Sequence, residues 1–274
     1  MDKNDFLKLT ANYLKFYNEH YNYEISDNEL IDNRSGDRFF KILKDNETEK
    51  PLPDLKRISH VHNDDESKIA EDIGLNNITK VWKGSQNLET FSKLIRDCPK
   101  CLVLAETRKQ IVFGTGNPNA DIVIVGEAPG ADEDEQGKPF VGRAGKLLTD
   151  ILKAINFSRE EVYICNILKC RPPANRNPLP EEIINCEPYL YKQLEMIKPK
   201  MILALGTLAA QTLLRSKETL GKMRGKFHTY NGIKMMVTFH PAALLRNPGW
   251  KKPTWEDVQL FRTEYEKMIK QEAI

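Results

Sequence analysis

Four short runs of β-branched and aliphatic residues, set between helix-like stretches, constrain this 274-residue chain more than any other feature in it. They fall at 121–125 (DIVIV), 162–168 (VYICNIL), 201–205 (MILAL) and 234–239 (KMMVTF). Their apolar residues follow one another without alternating with polar ones, the pattern of strands buried on both faces. The intervals read as helices: 142–155, 180–196 with Pro180 at the start, 208–215 with Thr207 as N-cap, and a closing helix over 255–270. Strand and helix in alternation predict a three-layer α/β/α sandwich around a mostly parallel sheet, with ligands bound at the carboxyl ends of the strands. The loops after Val125, Leu168, Leu205 and Phe239 are therefore the candidate site.

Upstream of these runs the chain is less regular. Phe6, Leu9, Tyr13, Phe16 and Tyr17 recur at helical spacing, giving a helical extension over 1–43 that packs on the core or docks a protein partner. Residues 45–64 are polar, contain proline and lack apolar rhythm, so 44–85 reads as a linker carrying one short helix at 66–73. A helix over 88–96 opens the main domain, spanning 86–274.

Composition mainly excludes. With 40% hydrophobic and 29% charged residues and no apolar run of about 18, the chain has no membrane-spanning candidate. No basic segment precedes an apolar stretch at the N-terminus, so a cytoplasmic protein is expected. Lysine and arginine number 41 against 39 acidic residues, a balance too even to announce a polyanionic partner by charge alone.

Five cysteines without an export signal argue against a disulfide framework. Cys98 and Cys101 form a C-x-x-C pair, and Cys170 and Cys186 supply two more thiolates around the helix at 180–196. Four soft ligands suit either zinc or an iron–sulfur cluster, and spacing does not separate the two. Cys165 lies inside a strand and reads as a small buried hydrophobe.

The loop after the first strand, Gly126-Glu-Ala-Pro-Gly130, lets backbone approach a ligand closely and places a carboxylate, Glu127, at a strand end. It lacks the glycine order of either a phosphate loop or a dinucleotide fingerprint.

Four segments in one order resemble a known family: GEAPGADEDEQGKPFVGRAG at 126–145, NILKCRPPANRNPLPEE at 166–182, ALGTLAAQTLL at 204–214 and HPAALLRNP at 240–248. They are similar to the iron–sulfur uracil-DNA glycosylases, family 4 of the uracil-DNA glycosylase superfamily, from Cys98 to about Trp255. The resemblance implies a hydrolase that excises uracil from single- and double-stranded DNA and starts base-excision repair. It implies a [4Fe–4S] cluster on Cys98, Cys101, Cys170 and Cys186, structural in role. It places uracil among Gly126, Ala128, Glu133, Phe140 and Asn166, with the Phe140 ring stacking on the base and the Asn166 amide reading its polar edge. His240 then stabilises the departing uracil anion, and Glu127 positions water or steadies the cationic sugar. Relatives outside the family carry an aspartate where this chain has Ala128. Glu133 lies near the base's C5 position, where it helps to exclude thymine. Leu244, Leu245 and Arg246 form an exposed wedge that fills the gap left by the extruded base. Lys169, Arg171, Arg176, Arg143, Lys222, Arg224 and Lys226 are candidate phosphate contacts. A monomer is expected.

Three other readings have distinguishing features. A superfamily member that traps uracil-DNA covalently carries a basic insertion with a histidine after the second motif; here Lys169 runs directly into CRPPANRNP. An accessory DNA-repair or replication domain without turnover is opposed by Glu127, Phe140, Asn166 and His240 occurring together. A zinc protein with unrelated chemistry differs in metal content.

Overall fold

The computed structural model describes residues 82–272. The helices expected at Phe6–Tyr17 and at 66–73, and the polar stretch at 45–64, lie outside the described residues.

Six strands form one mixed sheet in the order β1-β3-β2-β4-β6-β5. They are β1 (Thr115–Gly116), β2 (Ile122–Gly126), β3 (Tyr163–Asn166), β4 (Met201–Leu205), β5 (Phe227–Tyr230) and β6 (Ile233–Thr238). The four apolar runs supply β2, β3, β4 and β6, which pair in parallel. The edge strands β1 and β5 are antiparallel and had no sequence signal. β1 has two residues, and β5 is half-exposed with polar side chains, so neither shows the continuous apolar run of an inner strand.

Side chains leave a strand on alternate faces, so each inner strand feeds two cores. Val123, Val125, Cys165, Ile202, Ala204, Met235 and Val237 belong to one. That face is covered by α1 (Leu88–Ile95), α5 (Pro180–Ile197) and α6 (Thr207–Leu214), which contribute Phe91, Tyr189, Leu190, Ala210 and Leu213. Ile122, Ile124, Ile164, Leu203, Leu205 and Met236 belong to the other, under α4 (Arg143–Ala154) and α9 (Lys251–Glu272), which bring Leu148, Leu152, Val258 and Phe261. The expected sandwich is present, with a mixed sheet. Trp82, within the stretch expected to be linker, already packs in the core against Phe91 and Tyr189.

Short helices add detail that periodicity could not resolve: α2 (Leu102–Thr107), α3 (Ala131–Gln136), α7 (Leu220–Met223) and α8 (Pro241–Arg246). Each spans one turn or little more, too short to express a 3.6-residue period. The N-cap of α6 is Gly206, where Thr207 was expected; Thr207 is already inside the helix. Gly206 has φ +89°, and a Cβ there would lie 3.0 Å from His240 Cβ, so the β4–α6 turn requires glycine. No described helix is long and apolar enough to cross a membrane.

Candidate active site

The chain leaves β2 leftwards to β3 and then returns to the opposite side of β2 with β4, creating a crevice at the carboxyl ends where the order reverses. Three elements meet there. Gly126 ends β2 and Asn166 ends β3 opposite it in register, while His240 follows β6 as the N-cap of α8. A Cβ on Gly126 would meet Asn166 Oδ1 at 2.4 Å and Phe140 Cζ at 2.6 Å, so the amide and the ring converge over a backbone that must stay bare. The Phe140 and His240 rings are 5.4 Å apart. Sequence reasoning grouped Gly126, Phe140, Asn166 and His240, and the structure brings them together.

Asn166 is 2% exposed, and its Oδ1 is buried with no hydrogen-bond partner among the described residues. An orphaned acceptor of this kind costs about 1–3 kcal/mol, which a ligand donor would recover. Its backbone carbonyl accepts a 2.7 Å hydrogen bond from Lys169 Nζ.

Phe140 is held with unusual firmness. Its φ of +54° is left-handed, a costly conformation for an aromatic residue. The Glu133 carboxylate fixes the surrounding turn by accepting from the backbone N–H groups of Gly130, Val141 and Gly142 at 2.9–3.1 Å. Arg159 donates to Pro139 O at 2.9 Å. Gly145 lets α4 close in, since a Cβ there would fall 1.8 Å from Phe140 O. Sequence reasoning put Glu133 beside the base. Its three backbone bonds make it the anchor of the Phe140 turn, a function with no sequence signal because its partners lie three to nine residues away on a folded loop.

The electrostatics favour neutral groups. Burial, reinforced by Arg246 and opposed by Glu133, pushes the His240 pKa down to about 4. The ring is therefore neutral near pH 7, and its Nδ1 accepts from Ala242 N at 3.2 Å, which leaves the proton on Nε2. Burial raises the Glu127 carboxyl above the ordinary range. Ala128 is half-buried and packs on the core, so it offers the pocket only backbone and a methyl group.

The wedge differs from expectation. Leu244 is 1% exposed and packed inside, because α8 turns it away from solvent; Leu245, at 40%, and Arg246 remain outside. Three phosphate candidates are also otherwise engaged. Lys169 is 1% exposed and its amine is held by Asn166 O and Gln193 Oε1. Arg176 makes a two-pronged pair with Glu182, and Arg224 another with Asp257.

The four cysteines of the expected cluster site are each placed beside a polar neighbour. Cys98, Cys170 and Cys186 are buried and Cys101 half-buried. Each sulfur has a hydrogen-bonding neighbour: Tyr189 Oη at 3.1 Å for Cys98, Asn185 Nδ2 at 3.5 Å for Cys101, Arg108 Nη1 at 3.3 Å for Cys170 and the Lys169 N–H at 3.4 Å for Cys186. Burial raises the thiols of Cys101, Cys170 and Cys186, that of Cys170 to about 11, and nearby sulfurs raise them further. Among the described residues no three His, Cys, Asp or Glu side chains are grouped to hold one metal ion. Cys165 is fully buried in β3.

The family model of the uracil DNA glycosylase superfamily matches residues 113–260. A type-4 uracil-DNA glycosylase from Saccharolobus solfataricus is 48% identical over 180 residues, covering 62% of this chain and 83% of the relative. One from Archaeoglobus fulgidus is 46% identical over 171 residues, 60% of this chain and 85% of the relative. One from Thermotoga maritima is 46% identical over 162 residues, 58% and 84% respectively. With this agreement spanning the whole sheet and every strand-end loop described above, the chain belongs to the uracil DNA glycosylase superfamily and, within it, to the type-4 uracil-DNA glycosylases, hydrolases that excise uracil from DNA.

Proposed function

We propose that uracil is flipped from the DNA into the crevice of Gly126, Phe140, Asn166 and His240, and that these groups together make excision selective and fast. The observation that carries this reading is the orphaned Asn166 Oδ1 beside the Phe140 ring. Uracil's N3–H satisfies that acceptor and the amide N–H₂ donates to O4; cytosine reverses the required polarity and leaves the acceptor orphaned. Phe140 stacks on the base. Gly126 and Ala128 allow backbone to line it closely. Glu133 acts near C5 through the turn it anchors, which sets the wall that a thymine methyl would strike.

Cleavage breaks the bond from sugar C1′ to base N1, and the electron pair leaves with uracil. Neutral His240 donates its Nε2–H to the developing charge on O2, an interaction that strengthens in the transition state. Glu127, once ionised, steadies the cationic sugar and accepts a proton from the water whose oxygen bonds to C1′. Burial raises its pKa, which makes the ionised carboxylate a stronger proton acceptor than an exposed glutamate. Leu245 and Arg246, with Leu244 supporting them from beneath, fill the vacated stack.

Cys98, Cys101, Cys170 and Cys186 would hold a [4Fe–4S] cluster. In support, the four soft donors lie within electrostatic reach of one another and each has a hydrogen-bonding group beside its sulfur, the surroundings that stabilise cluster thiolates. Such a cluster would supply a cross-link among the segments that carry the four cysteines. We further read residues 86–274 as the catalytic domain, acting as a monomer, and 1–43 as an appendage for a protein partner.

The test is a glycosylase assay on single-stranded and U·G duplex oligonucleotides, scored for alkali-sensitive abasic product. Multiple turnovers, lost in His240→Ala, support the mechanism. A stoichiometric covalent adduct, or full turnover by the mutant, overturns it.

A further inference from the structure

Beyond the base pocket, the segment that follows it carries an exposed tryptophan stacked on a second ring. Trp250 is 41% exposed, and its indole stacks on Phe239 with centroids 4.8 Å apart and planes 21° from parallel. The Arg224 guanidinium also lies against Phe239, 5.4 Å from the ring centre. Phe239 thus has an indole and a cation as neighbours, and the indole is partly open to solvent.

Both neighbours of Phe239 are tied down by hydrogen bonds. Arg224 is clamped by both Asp257 oxygens at 2.8 and 3.0 Å and also donates to Pro253 O. Asp257 accepts in turn from Thr238, one residue before Phe239. Trp250 closes a 3-10 turn, Pro248–Trp250, with its N–H on Asn247 O and its carbonyl accepting from Thr254. Phe239 immediately precedes His240. The ring on which Trp250 stacks is therefore joined directly to a residue of the base pocket.

Charge identifies the occupant. Residues 239–255 contain no acidic side chain, whereas Arg246, Lys251 and Lys252, in the same segment as the indole, are exposed. Covering Phe239 requires only one indole face. An exposed indole in a segment whose charged side chains are all cationic fits a nucleobase on a phosphate backbone, because every base offers a π-face irrespective of sequence.

We propose that Trp250 is a stacking platform for the unpaired nucleobase next to the flipped uridine, on the uracil-bearing strand, serving single-stranded substrate above all. In a duplex that neighbouring base remains paired and stacked, so the platform has less to offer. This inference rests on the reading of the crevice as a uracil pocket.

The experiment measures binding of single-stranded oligonucleotides carrying one uracil, with the base on its 5′ or 3′ side present or replaced by a tetrahydrofuran spacer. In the wild-type protein, removing the base on one side should weaken binding about 5- to 100-fold. Trp250→Ala should bind both oligonucleotides equally, Trp250→Phe should keep most of the difference, and Trp250→Leu, with apolar bulk but no ring, should not. Equal sensitivity in wild type and Trp250→Leu overturns the proposal, and so does a wild type indifferent to both spacers. Excision scored in the same samples separates the two readings: a spacer effect without uracil-dependent turnover sinks the enzyme mechanism and leaves the platform standing.

Discussion

The base pocket and the segment that follows it, Leu245–Lys252, lie side by side and are built on opposite principles. The pocket is pinned: Glu133 takes three backbone N–H groups, Phe140 holds a left-handed backbone, and Gly126 and Gly145 permit approaches that no side chain would tolerate. The neighbouring segment is exposed at every residue and gains its character from Arg246, Lys251, Lys252 and Trp250. Transition-state stabilisation depends on groups placed before the reaction, because dipoles that must reorient contribute less. Holding a charged polymer of varied sequence depends on reach and charge. One crevice therefore needs both constructions.

Perturbing the two sides should give unlike results. The largest effect belongs to His240: replacement by alanine should lower excision about 100- to 1000-fold, the usual consequence of removing one oxyanion donor, measured by single-turnover kinetics. Asn166→Asp should approach that loss on uracil, since a carboxylate cannot donate to O4. Glu133→Gln comes next, with excision lowered about tenfold as the Phe140 turn loosens, a figure in keeping with mispositioning by a fraction of an ångström. An unchanged rate there would show the turn to be held without Glu133. On the exposed side, Leu245→Ala should slow duplex more than single-strand cleavage by a few-fold. Leu244→Ala behaves differently: burial makes it a core truncation costing about 2–5 kcal/mol, read as a lowered denaturation midpoint on any substrate.

Acidity sharpens the same contrast. Below an ordinary histidine pKa of 6.5 the unfolded chain binds a proton that His240 refuses in the fold, so this contribution to stability falls as pH drops from 6.5 to about 4. His240→Asn should flatten the dependence of thermal midpoint on pH across that interval. Excision should fall with acidification at a pH above the ordinary glutamate range, following Glu127, and Glu127→Gln should remove that limb.

Much of this was legible in the sequence because inner parallel strands need continuous apolar runs, and the four runs marked β2, β3, β4 and β6. β5 escaped notice because one edge of FHTY faces solvent and its polar residues break any pattern. The strand-end residues could be named because they sit in motifs. Their supports could not: Arg108 reaches Cys170 across 62 residues and Tyr189 reaches Cys98 across 91, and no local pattern encodes such contacts. Leu244 and Leu245 look alike in sequence, and only the pitch of α8 decides which one is buried.

The left-handed Phe140 has a consequence for how this protein could be changed. A glycine there would adopt φ +54° without strain and relax a penalty of order 1–3 kcal/mol, although it would also give the unfolded chain more freedom. That relief would be outweighed, because Phe140 is buried in the core and deleting such a ring costs about 3–5 kcal/mol, and the ring proposed to stack on uracil would go with it. Packing and the proposed base contact therefore hold the same ring in place against its backbone strain, and libraries screened only for heat resistance should still keep an aromatic residue at the turn that Glu133 anchors.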